Sequence, residues 1–399
     1  MRASDDAPPT PFGGESGSGH EPVGQAEYRS RRHHVQTIMA RTSIDCLLVT
    51  EPSGYRYLCG HQNSQFAIGQ RPSLLILPVE GDPVLIIPAS EVDQARRQSA
   101  IADVRGYAEF PFNPARLGSN LAEMGLGDAS IGCEFGPSHR LHLSQSALEV
   151  ARRELPRARL VDGSAVLGEA RVIKSDLEIA LIGEASGIAI KALERFFSLL
   201  RPGASLADCR RLALISALQA GADPDPPAIV SFGSGPRDGV YGKGDLLQID
   251  LALSYRGYRA DLTRRAALGP PTGADRGDHD RIVDLQRNVF ESIRPGIPAR
   301  EVALKFADRL TALGYPRPSP GSWIGHGIGL DLLETPYLDF EDQTPLQPGM
   351  VLTPEPWFVS RGQVVMVEDT GVVTETGFRS LVPDPFDRLR QLTIESGSG

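Results

Sequence analysis

The sequence predicts an α+β protein of two domains, the second built from two related halves. Helical and strand-like segments alternate up to about Asp162, and a long helical pattern then opens at "KSDLEIALIGEASGIAIKALERFFSLL". Ser175 and Glu178 fit a capping box at the start of this helix, which places the domain boundary near residues 163 to 173. A chain of 399 residues that is 41% hydrophobic can bury the cores of two domains.

The first domain is expected to be a smaller α/β unit at residues 27–165, after a flexible tail of Pro, Gly and Ser at residues 1–26. The segment "EYRSRRHHVQTIMARTSIDCLLVT" predicts a helix followed by a strand at Leu47 to Thr50. In "SLLILPVEGDPVLIIP", two apolar runs are joined by Glu-Gly-Asp, which predicts a hairpin.

The second domain, expected at residues 174–390 before a flexible C-terminal tail at 391–399, contains an internal repeat. The stretches "LLRPGASLADCRRLALISALQAG" and "SIRPGIPAREVALKFADRLTALG" share an Arg-Pro-Gly opening and close with Gly221 and Gly314. Each copy follows one helix and contains a second. A cleft between two such halves is a natural place for a binding site. The alternative interpretation is that the two Pro-Gly pairs are coincidental and only mark turns between helices.

The composition excludes several functions. The formal net charge of -9, from 50 acidic and 41 basic residues, gives no basic surface for nucleic acid or for an anionic membrane. No segment approaches the ~20 apolar residues that span a bilayer, so we expect a cytoplasmic protein. The cysteines lie far apart without CxxC spacing, which argues against a thiolate zinc site or a disulfide framework and predicts buried thiols. They are Cys46, Cys59, Cys133 and Cys209.

Two aspartates stand in strand-like sequence. Within "DLLQIDLALSYRGYRADLTRR", Asp250 and Asp261 lie on extended segments joined by a Ser-Tyr-Arg-Gly turn, so a hairpin can bring them side by side. Aspartate is disfavoured in strands, and a buried carboxylate is costly unless it is paired or metal-bound. Alternatively, Asp261 could lie on the surface and form an ion pair with Arg259 or Arg264.

Three further candidate ligands follow. Glu355 in "GMVLTPEPWFV" and Glu368 in "QVVMVEDTGVV" lie in runs typical of central strands, and His326 lies in "IGHGIGLDLLETP" between glycines that leave a ligand room. Together with the two aspartates they would offer mostly hard oxygen donors, which suit a pair of Mn, Co, Fe or Zn ions. Taken alone, each residue also has a structural alternative: Glu368 could cap a hairpin, and His326 could simply lie in a turn without binding a ligand.

In residue type and order these motifs resemble the five-ligand site of the M24 metallopeptidase family, which contains methionine aminopeptidase, Xaa-Pro aminopeptidase, prolidase and creatinase. The resemblance runs from about Glu27 to Asp387, since "PSGYRYLCG" is similar to the family's N-domain loop and "EARVIKSDLEIALI" to its linker. It implies a pita-bread catalytic domain with an internal two-fold repeat, preceded by a creatinase-type N-terminal domain. It also implies a homodimer.

The resemblance implies a role for each ligand. Asp250 would hold one of two divalent ions, Asp261 and Glu368 would bridge both, and His326 would bind the second ion. Glu355 would bind that ion and act as general base. Two cations lower the pKa of a shared water enough to give hydroxide at neutral pH, and a neighbouring carboxylate can take its proton and pass it to a leaving nitrogen.

The substrate side departs from the family pattern. Peptidases of this family usually carry a second histidine seven positions after the metal histidine, and Leu333 stands there. The family's other accessory histidine is absent from the short loop "FGSGPRDGVYGKGDLLQID". Arg237, Asp238 and Tyr241 of this loop are candidate replacements, unless the loop is an ordinary solvated turn. His279, in "DRGDHDR", is expected at a solvated helix start.

A neighbouring subunit is a second source of substrate contacts. In prolidase-like and creatinase-like relatives, the N-terminal domain of one subunit reaches the active site of the other. His61 would then contribute a substrate contact to the active site of the neighbouring subunit. Alternatively, His61 could lie in a surface loop without such a role.

Three functions are consistent with these patterns. The intact ligand set favours a dinuclear metal hydrolase of the Xaa-Pro peptidase type that acts on a short peptide or other small molecule. The missing histidines leave open a non-peptidase of the same fold, either a C–N hydrolase like creatinase or ectoine hydrolase, or a lyase like dimethylsulfoniopropionate lyase. A non-catalytic binding protein would have eroded ligands, and none is eroded here.

Overall fold

The structure is a computed structural model. It describes residues 23–63, 66, 70–137, 141–224, 228–233, 235–236, 238–383 and 388–392. Of the two expected tails, residues 1–22 and 393–399 lie outside the described residues, as does Arg237. No helix in the described part of the chain has both the length and the apolar character that crossing a membrane requires.

The N-terminal domain alternates helices and strands. In chain order its elements are α1 Gln25–Thr42, β1 Cys46–Val49, α2 Pro52–Cys59, β2 Leu74–Pro78, β3 Val84–Pro88, α3 Val92–Gln98, β4 Asp103–Tyr107, α4 Ala115–Glu123, β5 Ser130–Cys133, α5 Gln145–Glu154, β6 Arg159–Asp162 and α6 Ser164–Val172. The strands form a mixed sheet in the order β4-β3-β2-β1-β5-β6. The hairpin predicted around Glu-Gly-Asp is confirmed, with Leu74 paired to Ile86 and Ile76 to Val84.

The second domain contains two helix pairs and two sheets. Its elements are α7 Asp176–Leu199, α8 Leu206–Ala220, β7 Ile229–Ser231, β8 Leu246–Tyr255, β9 Tyr258–Leu268, α9 Gly273–Ser292, α10 Ala299–Ala312, β10 Trp323–Gly327, β11 Glu334–Asp339, β12 Val351–Pro354, β13 Trp357–Ser360, β14 Gln363–Met366, β15 Gly371–Val373, β16 Phe378–Ser380 and β17 Arg390–Leu392. The sheet orders are β17-β9-β8-β7 and β11-β10-β12-β15-β16, and β13 pairs with β14.

The internal repeat is visible in the structure. Each half places two helices, α7 and α8 or α9 and α10, before the strands of its sheet. The glycines that close the two copies have positive φ angles, 107° at Gly221 and 85° at Gly314, which glycine adopts without a Cβ clash at a helix C-terminus. The predicted capping box at Ser175 and Glu178 is also confirmed. A backbone bridge between Thr263 and Glu368 joins the two halves.

A buried ionic cluster ties the N-terminal domain to the second domain. Arg171, at the end of α6, donates to Asp331 at 2.7 Å and to Glu334 at the start of β11. Lys174, in the linker, donates to the other oxygen of Glu334 at 3.0 Å. Although burial raises the pKa of Glu334, the charges of Arg171 and Lys174 prevail and lower it to about 2. Glu334 is therefore ionised at neutral pH.

All four cysteines are free and buried, as the sequence predicts. Burial raises the pKa of each thiol, to about 12 at Cys59 and Cys133 and about 11 at Cys209. A thiol in such surroundings stays protonated and unreactive at neutral pH.

Candidate metal centre

The two aspartates lie side by side on the β8–β9 hairpin. Asp250 is paired with Thr263, and Asp261 is paired with Ala252. Because residues two apart on a strand share a face, Asp261 and Thr263 project on the same side as Asp250. The two carboxyl groups are in hydrogen-bond contact. The sequence-based expectation for this hairpin is confirmed.

His326 lies on β10, between β11 and β12, in the second half of the domain. Its Nδ1 lies 2.9 Å from the carbonyl oxygen of Gly327, which can only accept a hydrogen bond, so Nδ1 carries the proton. Nε2 is left with its lone pair and lies 3.9 Å from Oε1 of Glu355. Burial lowers the pKa of His326 to about 4, which keeps the imidazole neutral at physiological pH. A neutral imidazole is the form that binds metal ions.

Glu368 joins the two halves of the domain at the site. Its carboxylate accepts hydrogen bonds from Thr263 of β9 at 2.9 Å and from Thr353 of β12 at 2.8 Å. Thr370 makes a comparable link, because its hydroxyl donates to the backbone oxygen of Asp261 at 3.0 Å. These three threonines were not identified from the sequence. The sequence feature that could have identified them is their spacing, because each threonine lies two residues from a candidate ligand.

The predicted ligands converge on one buried place. Ligand atoms of Asp261, His326 and Glu368 all lie within 4.8 Å of one another. Glu355 adjoins His326, and its carboxyl group interacts electrostatically with Asp261 and Asp250. The fold therefore brings together five side chains that lie far apart in the sequence.

The electrostatics of this cluster suit divalent cations. Burial raises the pKa of Asp261 well above its usual range, and the neighbouring Glu368 and Asp250 raise it further. Burial likewise raises the pKa of Glu368, and that of Glu355 to about 8. The buried Oδ1 of Asp261 receives no hydrogen bond from the described residues. Packed carboxylates of this kind are stable when ionised only beside positive charge, and oxygen donors with one imidazole fit Mn, Co, Fe or Zn ions.

Metal removal is expected to reverse the pH dependence of stability near neutrality. Without metal, Glu355 has a folded-state pKa of about 8 against an ordinary value of 4.5 for glutamate, so the folded state binds more protons between these values. This stabilisation is complete below about pH 4.5 and is lost as the pH rises through about 8. Bound metal requires deprotonated carboxylates, so its stabilisation grows over the same range.

Thermal unfolding of chelated and Mn-loaded protein from pH 5 to pH 8 would check this. The melting temperature of the chelated protein should fall with pH, and the gap between the two samples should widen. Parallel curves would contradict a metal centre made of these carboxylates.

The substrate-side residues predicted from the sequence are less well placed. Asp238 is exposed, and Leu333 is 43% exposed at the wall of a cavity of about 550 Å³ between the domains. Tyr241 is only 1% exposed and packs in the core formed with α7, α8 and the β8–β9 hairpin. Its ring is therefore not free to contact a substrate, which corrects that expectation. Arg237 lies outside the described residues.

Two histidine expectations also need correction. His61 is 1% exposed, and its Nδ1 lies 2.8 Å from the hydroxyl of Tyr55, so it is packed inside the N-terminal domain and not on a surface loop. In this conformation the ring cannot reach a neighbouring subunit. His279 is 2% exposed on the inner face of α9, so the prediction of a solvated position is wrong.

Comparisons with known proteins show the family of this chain. The model of metallopeptidase family M24 matches residues 180–375, and that of the Creatinase/Prolidase N-terminal domain matches residues 31–173. The probable dipeptidase PepE of Mycobacterium tuberculosis (strain ATCC 25618 / H37Rv) is 30% identical over 358 residues, which cover 86% of this chain and 91% of that protein. The chain belongs to metallopeptidase family M24.

Further M24 proteins match over nearly their whole length. The Xaa-Pro dipeptidase of Pyrococcus horikoshii is 26% identical over 352 residues, covering 86% of this chain and 94% of that protein. The solved Xaa-Pro dipeptidase from Bacillus anthracis superposes with a TM-score of 0.78 at 25% identity, covering 92% of this chain and 100% of that one. This M24 protein is therefore an enzyme with the creatinase-type N-terminal domain and pita-bread catalytic domain that its motifs predict. The hypothesis of a non-catalytic binding protein is set aside.

Proposed function

We propose that this M24 metallopeptidase is a dinuclear metal-dependent hydrolase that cleaves the Xaa-Pro bond of short peptides. The observation that carries the proposal is the convergence of Asp261, His326 and Glu368, with Glu355 and Asp250 beside them. The names of the relatives support the Xaa-Pro specificity, since two of them are Xaa-Pro dipeptidases.

Each ligand is assigned to one or both of two ions. Asp250 would hold the first, Asp261 and Glu368 would be shared, and His326 and Glu355 would hold the second. When bound, such ions act as Lewis acids that polarise the scissile carbonyl and make water a competent nucleophile at neutral pH.

The side chains of the chain itself supply orientation and proton transfer. The Nδ1–H of His326 is fixed by Gly327, which points Nε2 toward the cluster. Thr263 and Thr353 hold the carboxylate of Glu368 in one orientation. Glu355 lies beside Nε2 of His326 at 3.9 Å, and we assign to it the proton taken from water and passed to the leaving nitrogen.

A panel of peptides tests the proposal. Mn- or Co-reconstituted protein would be incubated with Xaa-Pro dipeptides, with longer Xaa-Pro peptides and with matched Xaa-Ala peptides, and the products identified by mass spectrometry. We expect cleavage before proline that is lost on chelation and restored by metal. Turnover of none of these peptides by a protein that holds metal would contradict the proposal and favour the non-peptidase alternative, a C–N hydrolase or a lyase.

Restoring the missing histidine is expected to raise activity. Leu333 stands where peptidases of this family usually carry a histidine, and it is open to the cavity between the domains. Because an imidazole can hydrogen-bond a peptide and leucine cannot, Leu333→His should increase kcat/KM for Xaa-Pro cleavage by about tenfold, as for one added hydrogen bond. Leu333→Met, which keeps an apolar side chain of similar size without a hydrogen-bonding ring, is the matched control and should give no increase. Equal kinetics for Leu333→His and wild type would show that the pocket recognises its substrate by other means.

Several finer expectations stay predictions. They are the use of manganese, the homodimer, the cytoplasmic location, and domain limits at residues 27–165 and 174–390. The substrate is expected to be a short peptide or another small molecule, with no role for nucleic acid or membrane.

A further inference from the structure

A β-bulge places a tryptophan on the same face as the metal-binding histidine. Trp323 of β10 pairs with Asp339 of β11, and His326 pairs with Tyr337, so three steps on one strand match two on the other. Without the extra residue, Trp323 and His326 would point to opposite faces. Gly325, within the bulge, has φ 146°, and a Cβ there would lie 2.7 Å from the backbone oxygen of Thr353. Glycine is therefore required for this arrangement.

The bulge creates an aromatic surface beside the site. The rings of Trp323 and Tyr337 are stacked, with an interplanar angle of 4° and centroids 5.9 Å apart. The ring of His326 lies 5.9 Å from that of Trp323. Trp323 is 39% exposed, so part of its indole ring is open to solvent. The stack thus presents an open apolar surface next to a metal ligand.

The same surface continues into the cavity between the domains. Tyr337 and Leu333 both line this cavity, whose volume of about 550 Å³ is that of a small-ligand site. The guanidinium that lines it, Arg171, is already bound to Asp331 and Glu334. Trp323 and Leu333 are exposed apolar side chains on either side of Tyr337, and an exposed apolar patch of this kind indicates a binding surface for an apolar group.

We propose that Trp323, Tyr337 and Leu333 form a specificity surface that binds an aromatic or branched aliphatic side chain of the substrate, next to the bond that is hydrolysed. This inference rests on the proposed peptidase function and names the substrate class for it. Burial of a large apolar side chain against two aromatic rings distinguishes such substrates from those with alanine or lysine at the same position. The three residues bind the substrate and take no part in the proton transfers.

The test compares side-chain selectivity between variants. For wild type and Trp323→Ala, kcat/KM is measured on Phe-Pro, Leu-Pro, Ala-Pro and Lys-Pro peptides. Trp323→Ala should lower the ratio of Phe-Pro to Ala-Pro about tenfold, with little change for Ala-Pro itself. Trp323→Phe keeps a ring and should restore most of the ratio. Val359→Ser, at an exposed apolar residue on β13, is the matched control and should leave the ratio unchanged.

Binding of non-hydrolysable reduced-amide analogues of Phe-Pro and Ala-Pro, measured by calorimetry, separates this inference from the proposed function. Tighter binding of the Phe-Pro analogue that is lost in Trp323→Ala would support the surface even if no peptide is cleaved. Cleavage by wild type with a ratio that Trp323→Ala does not change would overturn the surface and leave the peptidase standing. An equal loss of kcat/KM for all four peptides in Trp323→Ala would show a structural role for Trp323 and would also overturn the surface. The surface would likewise be overturned if wild type cleaved no peptide and bound the Phe-Pro analogue no more tightly than the Ala-Pro analogue.

Discussion

Glu355→Gln is expected to lower kcat for Xaa-Pro cleavage by about 10²–10⁴-fold, the usual contribution of general acid–base catalysis. Glutamine has the same shape as glutamate and keeps one oxygen donor, but it cannot take a proton from water. Burial and the charges of Asp261 and Asp250 raise the pKa of Glu355 to about 8 in the metal-free protein, which shows how closely it belongs to the cluster. Steady-state kinetics on the Mn-loaded variant would measure the loss.

Two controls make this result specific. Glu375→Gln changes an exposed glutamate of the same domain and should leave kcat unchanged. The circular dichroism spectrum and melting temperature of metal-free Glu355→Gln at neutral pH should match those of wild type, because glutamine has the shape of the protonated carboxyl group that a pKa of about 8 favours there. Near-normal turnover by Glu355→Gln would remove this residue from proton transfer.

Arg171→Leu is expected to lower the free energy of unfolding by about 3–5 kcal/mol, the cost of breaking a buried ion pair by removing one partner. Arg171 is bound to Asp331 and Glu334 across the junction of the two domains. Without it, Glu334 keeps a single cationic partner, Lys174, at 3.0 Å. Chemical denaturation followed by circular dichroism would measure the loss.

The exposed pair of Arg157 and Asp128 offers the matched control. Its side chains are 77% and 68% exposed, so Arg157→Leu should cost less than about 1 kcal/mol. The double variant Arg171→Leu with Glu334→Leu should be no more stable than Arg171→Leu alone, because it leaves the buried ammonium of Lys174 without its carboxylate partner. If Arg171→Leu were as mild as Arg157→Leu, the cluster would not hold the domains together.

The hairpin that carries Asp250 and Asp261 could be predicted from the sequence because both residues break a local rule. Asp250 and Asp261 are acids in strands, and a short turn between the strands closes the hairpin. The repeat is similarly visible, since Gly221 and Gly314 occupy positions where the backbone needs a positive φ.

Positions that depend on tertiary packing could not be predicted in the same way. His279 lies in a charged run, yet Asp275 and Asp278 beside it are buried because Arg361, from the β13–β14 turn, binds both. The apolar residues Ile282 and Val283 continue that face at helical spacing, a pattern that marks the inner side of α9. The burial of Tyr241 and His61 could not be predicted from the sequence either, because a polar side chain in a loop can still pack into the core.

The position of Trp323 on the same face as His326 could not be predicted from the sequence for a different reason. Alternation along a strand places residues three apart on opposite faces, so the sequence alone separates them. The extra residue at Gly325 reverses this relation, and it becomes apparent only from the register of β10 against β11. The position of Trp323 beside His326 was therefore harder to infer than the hairpin of Asp250 and Asp261.

The most direct test of the central claim is a titration of Mn²⁺ into chelated wild-type protein, with bound metal and Xaa-Pro cleavage measured in the same samples. If the carboxylates and His326 hold two ions that support peptide hydrolysis, cleavage should be absent without metal and rise with occupancy until two ions are bound per chain. Cleavage that persists without metal, or a protein that binds two ions and cleaves no Xaa-Pro peptide, would contradict the account.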